Sequence, residues 1–233
     1  MTNQVTLNSG TAVERLASLK QRKPQSELLH GIKTKERIDK VLVVILDSSG
    51  SMSDSIESGI RKIDAAWQVF QNELSPNMAN WTYGVLIFQG HNEVFWEIYP
   101  CQDTQALKVI RKPAAMGGTP MRRALETAWQ WTMHNAKQAR FILLSDGCPT
   151  DSGTEDILRL AKEYSTIPID TVGVGSTINS NAWFPGYNPE FLRELSRITG
   201  GEFFEVGSVK LLGETIKRIS PAERPLLGPV GGL

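Results

Sequence analysis

Six apolar residues, Val41-Leu42-Val43-Val44-Ile45-Leu46, run without a break into Asp47-Ser48-Ser49-Gly50-Ser51-Met52. The run is far too short to span a bilayer, and it is rich in β-branched side chains. A half-exposed strand would alternate apolar and polar residues; this one does not. It therefore predicts a strand covered on both faces, as in the middle of a parallel sheet. Asp47, Ser49 and Ser51 fall where such a strand ends and the chain turns back toward a helix. That edge is where open α/β sheets bind their ligands.

One carboxylate and two hydroxyls on a tight loop offer three hard oxygen donors. Such donors suit Mg²⁺ or Mn²⁺ better than Zn²⁺. Gly50 allows a turn that a bulkier residue resists. A second reading stands beside this one: a strand-to-helix loop in which Ser and Asp are ordinary helix caps.

The remaining pattern alternates. Ile56, Ile60, Ile63, Trp67, Phe70 and Leu74 recur at three and four and predict one amphipathic helix, with Asp54 and Glu57 near its start and Pro76 at its end. Residues 82–88 and 94–98 predict two strands joined through Gly90-His91-Asn92, a link so short that they pair antiparallel. His91 reads as a solvated turn residue. Residues 103–112 predict a short helix. Met116-Gly117-Gly118-Thr119-Pro120 then reads as a close-approach loop, with Thr119 as an N-cap and Pro120 as the first helical residue. Met121, Leu125, Ala128, Trp129 and Met133 form the inward stripe of the next helix. The loop lacks the Lys of a phosphate-binding Walker loop.

Phe141-Ile142-Leu143-Leu144-Ser145-Asp146-Gly147 repeats the logic of the first strand. Ser152-Gly153-Thr154-Glu155 has the form of a capping box, with Ile157, Leu158, Ala161 and Tyr164 inward. Residues 167–174 predict a fifth strand, and 176–187 a polar loop tipped with Trp183, Phe184 and Tyr187. Asn188-Pro189 opens a helix that buries Phe191, Leu192, Leu195 and Ile198 and stops at Gly200-Gly201. Residues 202–206 predict a sixth strand, and 208–218 a last helix. The expected fold is α/β: a doubly wound, mostly parallel six-stranded sheet with one antiparallel edge strand and helices on both faces.

Residues 1–38 form a polar arm, in which Val13, Leu16 and Leu19 stripe a short helix that Pro24 ends. The arm reads as folding back on the domain, or else as a docking segment. Residues 39–220 read as the domain, and 221–233 as an irregular tail rich in Pro, Gly and Leu. Lys+Arg and Asp+Glu are 25 each, so no overall field points to nucleic acid or an anionic membrane. The polar start lacks the apolar core of a signal peptide, and no run reaches the length of a membrane span. Cys101 and Cys148 make neither a disulfide framework nor a zinc pattern. A cytoplasmic location is the simplest expectation.

Asp47-x-Ser49-x-Ser51, Gly117-Gly118-Thr119-Pro120 and Ser145-Asp146-Gly147 are all expected at one end of the sheet. Together they resemble the von Willebrand factor A (vWA) domain with its metal-ion-dependent adhesion site, over roughly residues 39–220. The resemblance implies that Ser49 and Ser51 bind Mg²⁺ (or Mn²⁺) through their hydroxyls, and Thr119 directly or through water. Asp47 and Asp146 would act directly or through waters and orient those hydroxyls. Neutral hydroxyls leave the cation under-neutralised, so a partner protein's Asp or Glu completes its coordination. Gly117, Gly118 and Asp151 would lie on the partner-binding rim. By the same analogy, residues 210–218 would shift when a carboxylate binds.

The phrases Val-Ile-Leu-Asp-Ser-Ser-Gly-Ser-Met, Gly-Gly-Thr-Pro-Met and Leu-Leu-Ser-Asp-Gly resemble intracellular bacterial vWA proteins associated with tellurium resistance. That likeness implies an adaptor in a stress- or phage-response assembly, alongside kinase and phosphatase or ATPase components. The expected role is a metal-dependent protein-binding module and not an enzyme. A metal-dependent hydrolase or phosphatase would need an activated nucleophile, and Cys148 lacks a paired base. The third alternative is a structural subunit that assembles through its arm and tail.

Overall fold

The computed structural model describes residues 37–56, 58–77, 82–102, 105–175 and 186–206. The arm, the tail, the last helix and the tip of the 176–187 loop lie outside the described residues, as does Glu57.

Strand β1 (Ile38–Asp47) is central. It pairs in parallel with β2 (Thr82–Gln89) on one side and β4 (Ala136–Ser145) on the other. Beyond β2 lies β3 (Glu93–Cys101), antiparallel as its short turn demands. Beyond β4 lie β5 (Ile169–Val174) and β6 (Phe203–Val206), both parallel. The order is β3-β2-β1-β4-β5-β6, the doubly wound sheet expected from the alternation.

All six residues of the β1 run are fully buried. Their period of two divides them between the layers. Val41, Val43 and Ile45 enter one core, and Leu42, Val44 and Leu46 the other. At about 1.5–3 kcal/mol per large side chain, this one strand contributes on the order of 10 kcal/mol of burial.

One face is covered by helix α1 (Lys62–Val69), whose last residues continue into a π-type turn at Phe70–Leu74. The short helix α2 (Ala106–Val109) adds Leu107 to that core. The other face is covered by α3 (Met121–Asn135), α4 (Thr154–Glu163) and α5 (Pro189–Thr199). Asn188 caps α5 by accepting from the Phe191 N–H at 3.1 Å, Pro189 opens it, and Gly200 closes it at φ 76°.

Several expectations change. The helix predicted from about residue 54 begins only at Lys62. A 3₁₀ turn at Gly50–Ser53 comes first, then a small excursion in which Ser55 bridges Arg61 and the Ile56 N–H bonds Ile60 O at 2.8 Å. Ile56 and Ile60 still face the core, so their spacing mimics a helix without one. Helix α3 starts one residue later than expected. Pro120 is its cap residue, and no side chain of that position caps it. Gly153 occupies the cap of α4, so Ser152 is not a capping-box residue. Met133 is 51% exposed and leaves the inward stripe, while Thr132 beside it is buried.

Candidate functional site

From β1 the chain crosses over α1 to β2 on one side, and from β3 it crosses over α3 to β4 on the other side of β1. The carboxyl ends of β1 and β4 therefore flank a topological switch point, where the crossovers diverge and leave a crevice. Asp47 ends β1, and Ser145-Asp146 ends β4.

Three loops meet there. The first, residues 47–53, is tied to the second, residues 114–119, by three bonds. Ser48 Oγ donates to Ala114 O (2.8 Å), the Met116 N–H to Ser48 O (2.9 Å) and the Gly50 N–H to Gly117 O (2.8 Å). The third loop, residues 145–151, joins the first through Ser145 Oγ, which donates to Asp47 Oδ2 at 2.5 Å. It joins the second through Thr150, whose Oγ1 accepts from the Thr119 N–H at 2.7 Å and whose N–H donates to Thr119 O at 3.0 Å.

Asp47, Ser49 and Asp146 are fully buried, and Thr119 is 3% exposed. Asp47 Oδ1 accepts from the Ser49 N–H at 2.8 Å, so the carboxylate locks its own loop. Ser49 Oγ and Ser51 Oγ stand 3.2 Å apart. Two adjacent oxygen ligands of an octahedral Mg²⁺ at ~2.1 Å are about 3.0 Å apart. The Thr119 hydroxyl is not used as a helix cap. Burial, and then the negative charge of Asp146, push the Asp47 carboxyl up to about 7. Two buried acids side by side make a site that favours a cation. Among the described residues no group of three or more His, Cys, Asp or Glu is placed to hold a metal ion, and this donor set has two carboxylates and three hydroxyls.

Pattern reading missed the cation already present. Lys62 Nζ lies 3.1 Å from Asp146 Oδ2, with the lysine side chain 5% exposed and the aspartate not at all. The same ammonium donates to Gly186 O. A lysine at the first position of a helix opposes the helix dipole. That misfit, inside a stripe of buried residues, is the one local signal it carried. Ser145 was also missed as a site residue, although it holds Asp47 and accepts from the Gly147 N–H at 3.0 Å.

Of the residues expected on the rim, Asp151 is half-buried beside the start of α3. Its two oxygens accept from the Arg122 N–H (3.3 Å) and the Arg123 N–H (3.0 Å), supplying α3 with the cap that its own sequence lacks. Gly117 sits at φ 65°, and a Cβ there would meet Gly90 Cα at 2.5 Å. With Gly118, which lies against Gly90 O and Thr150 Oγ1, it joins the site loop to the β2–β3 turn. Burial and then the Asp146 charge push the Cys148 thiol up to about 12, which disfavours the thiolate that a nucleophile needs.

Residues 42–149 match the family model of the von Willebrand factor type A domain. No curated protein matches the chain. Solved structures share its fold. An aerotolerance-related membrane protein from Bacteroides fragilis NCTC 9343 is 19% identical with a TM-score of 0.58, over 77% of this chain and 97% of that one. BatB from Bacteroides thetaiotaomicron is 16% identical with a TM-score of 0.55, over 77% and 97%. The manganese-loaded TRAP protein of Plasmodium vivax is 20% identical with a TM-score of 0.55, over 80% and 73%. At these identities the likeness is one of fold. Over residues 42–149 of its 233 the chain is thus similar to the von Willebrand factor type A family, and its doubly wound sheet is a fold shared with these solved structures.

Proposed function

We propose that the chain is a cation-dependent protein-binding module that captures a carboxylate of a partner protein. The observation that carries this reading is the pair of buried acids, Asp47 and Asp146, beside two serine hydroxyls 3.2 Å apart at the switch point of the sheet. In this reading Ser49, Ser51 and Thr119 hold Mg²⁺ or Mn²⁺ through their hydroxyls. Asp47 and Asp146 orient them and supply the negative charge. A divalent cation bound there supplies an electrophilic position for an outside Asp or Glu. The manganese named for the Plasmodium vivax protein supports the choice of a hard divalent ion.

The module is read as an adaptor without catalysis of its own. The Cys148 thiol stays protonated, and His91 and His134 are exposed outside the three loops. A stress- or phage-response assembly, with kinase and phosphatase or ATPase partners, rests on the three shared phrases and remains part of the proposal. So does a cytoplasmic location. No helix among the described residues is long and apolar enough to cross a membrane.

Thermal unfolding with Mg²⁺, with Mn²⁺ and with chelator tests the site. Saturation at about 100 times the dissociation constant stabilises by roughly 2.7 kcal/mol, on the order of 5–10 °C for a chain of this size. The shift is expected in the wild type and lost in Ser49→Ala. A wild type whose unfolding ignores both metals at millimolar concentration would sink the reading.

A further inference from the structure

Lys62 places a positive charge inside the acid pair on which the metal reading rests. Its ammonium is 3.1 Å from Asp146 Oδ2 and also donates to Gly186 O, with the residue only 4% exposed. The remaining Asp146 oxygen, Oδ1, accepts a long bond of 3.3 Å from the Cys148 N–H. Asp146 is thus half committed to an internal cation before any external one arrives.

The geometry points to Lys62 as the residue that sets the binding strengths of this site, weakening its hold on a divalent cation while keeping the loaded site positive toward a carboxylate. The charges show why. Whatever proton the acids hold, the ammonium beside Asp146 adds one positive charge to the site, both empty and loaded. A buried like charge acts through a low dielectric and is poorly screened by salt. Cation affinity depends on ligand charge count, so loss of the ammonium strengthens cation binding. The loaded site, one charge less positive, then attracts an outside anion less.

The test compares the full chain with Lys62→Gln. Glutamine removes the charge and keeps an N–H donor, on a side chain one atom shorter. Lys62→Met is a second charge-removing variant, and Lys62→Arg restores the charge. Folding is checked by far-ultraviolet circular dichroism. Mn²⁺ binding is read by electron paramagnetic resonance, and acetate binding to the Mn²⁺-loaded protein by water proton relaxation. Lys62→Gln or Lys62→Met should bind Mn²⁺ at least tenfold more tightly and acetate more weakly, and Lys62→Arg should return to within about threefold of the wild type. Equal or weaker Mn²⁺ binding in the charge-removing variants would overturn the role of Lys62 and leave the metal reading standing. No saturable Mn²⁺ binding in wild type or variant would overturn both.

Discussion

Ser145 Oγ donates to Asp47 Oδ2 across the seam between β4 and β1, at 2.5 Å, from a residue 98 positions away in sequence. The same oxygen accepts from the Gly147 N–H at 3.0 Å. One hydroxyl therefore holds the acid of the first loop and the turn of the third. Ser145→Ala removes a bond to a buried acid and leaves an N–H without its acceptor. The expected loss is about 2–4 kcal/mol, read as a lower urea midpoint in chelator with an unchanged slope.

Asp47 carries a pH dependence of known sign. Its pKa rises from 3.8 to about 7, chiefly through burial and then through Asp146, against the hydrogen bonds from Ser145 and Ser49. Between those values the folded protein holds a proton that the unfolded chain has released. The contribution of this group is fully present below about pH 4 and is lost as pH rises through about 7. In chelator, the wild type should lose stability between about pH 4 and pH 7 relative to Asp47→Asn, which keeps the hydrogen-bonding shape without titrating. Parallel stability curves for the two proteins would count against a raised Asp47.

Asp151 should matter to α3 and not to metal. Its carboxylate bonds the Arg122 and Arg123 N–H groups at the start of that helix. Asp151→Ala should cost about 1 kcal/mol, the scale of a lost N-cap, while Mn²⁺ affinity stays within about twofold. Differential scanning calorimetry reads the first and a metal titration the second.

Arg140 and Asp170 form a second buried pair among the described residues, away from the site. Two bonds of 2.6 and 2.8 Å join them, and Asp170 Oδ1 also accepts from the Glu202 N–H at 2.9 Å. The pair pins β4 to β5 and to the start of β6. Asp170→Asn strands a buried guanidinium and should cost about 3–5 kcal/mol. Replacing both partners, as Arg140→Met with Asp170→Leu, should recover most of that loss in urea denaturation.

What the sequence by itself determined is the sheet and its order of elements. Val41–Leu46 is buried in both layers because an unbroken apolar run has no face left for water. The β2–β3 hairpin follows from the length of its turn, and the ends of α5 from Asn188, Pro189 and Gly200. These are local properties, set by neighbours a few residues apart. The same locality placed Asp47, Ser49, Ser51 and Asp146 at or just past strand ends, where apolar runs stop, and Thr119 just ahead of a helix.

Only the tertiary structure decided the rest. Ile56 and Ile60 keep helical spacing in an excursion that is not helical, since burial asks only that both side chains point inward. Asp151 caps a helix that begins 30 residues earlier, and Lys62 reaches an aspartate 84 residues away. No periodicity encodes such pairs. They exist because parallel crossovers carry separate strand ends to one edge, where buried charges and unbonded N–H groups must find partners across the fold.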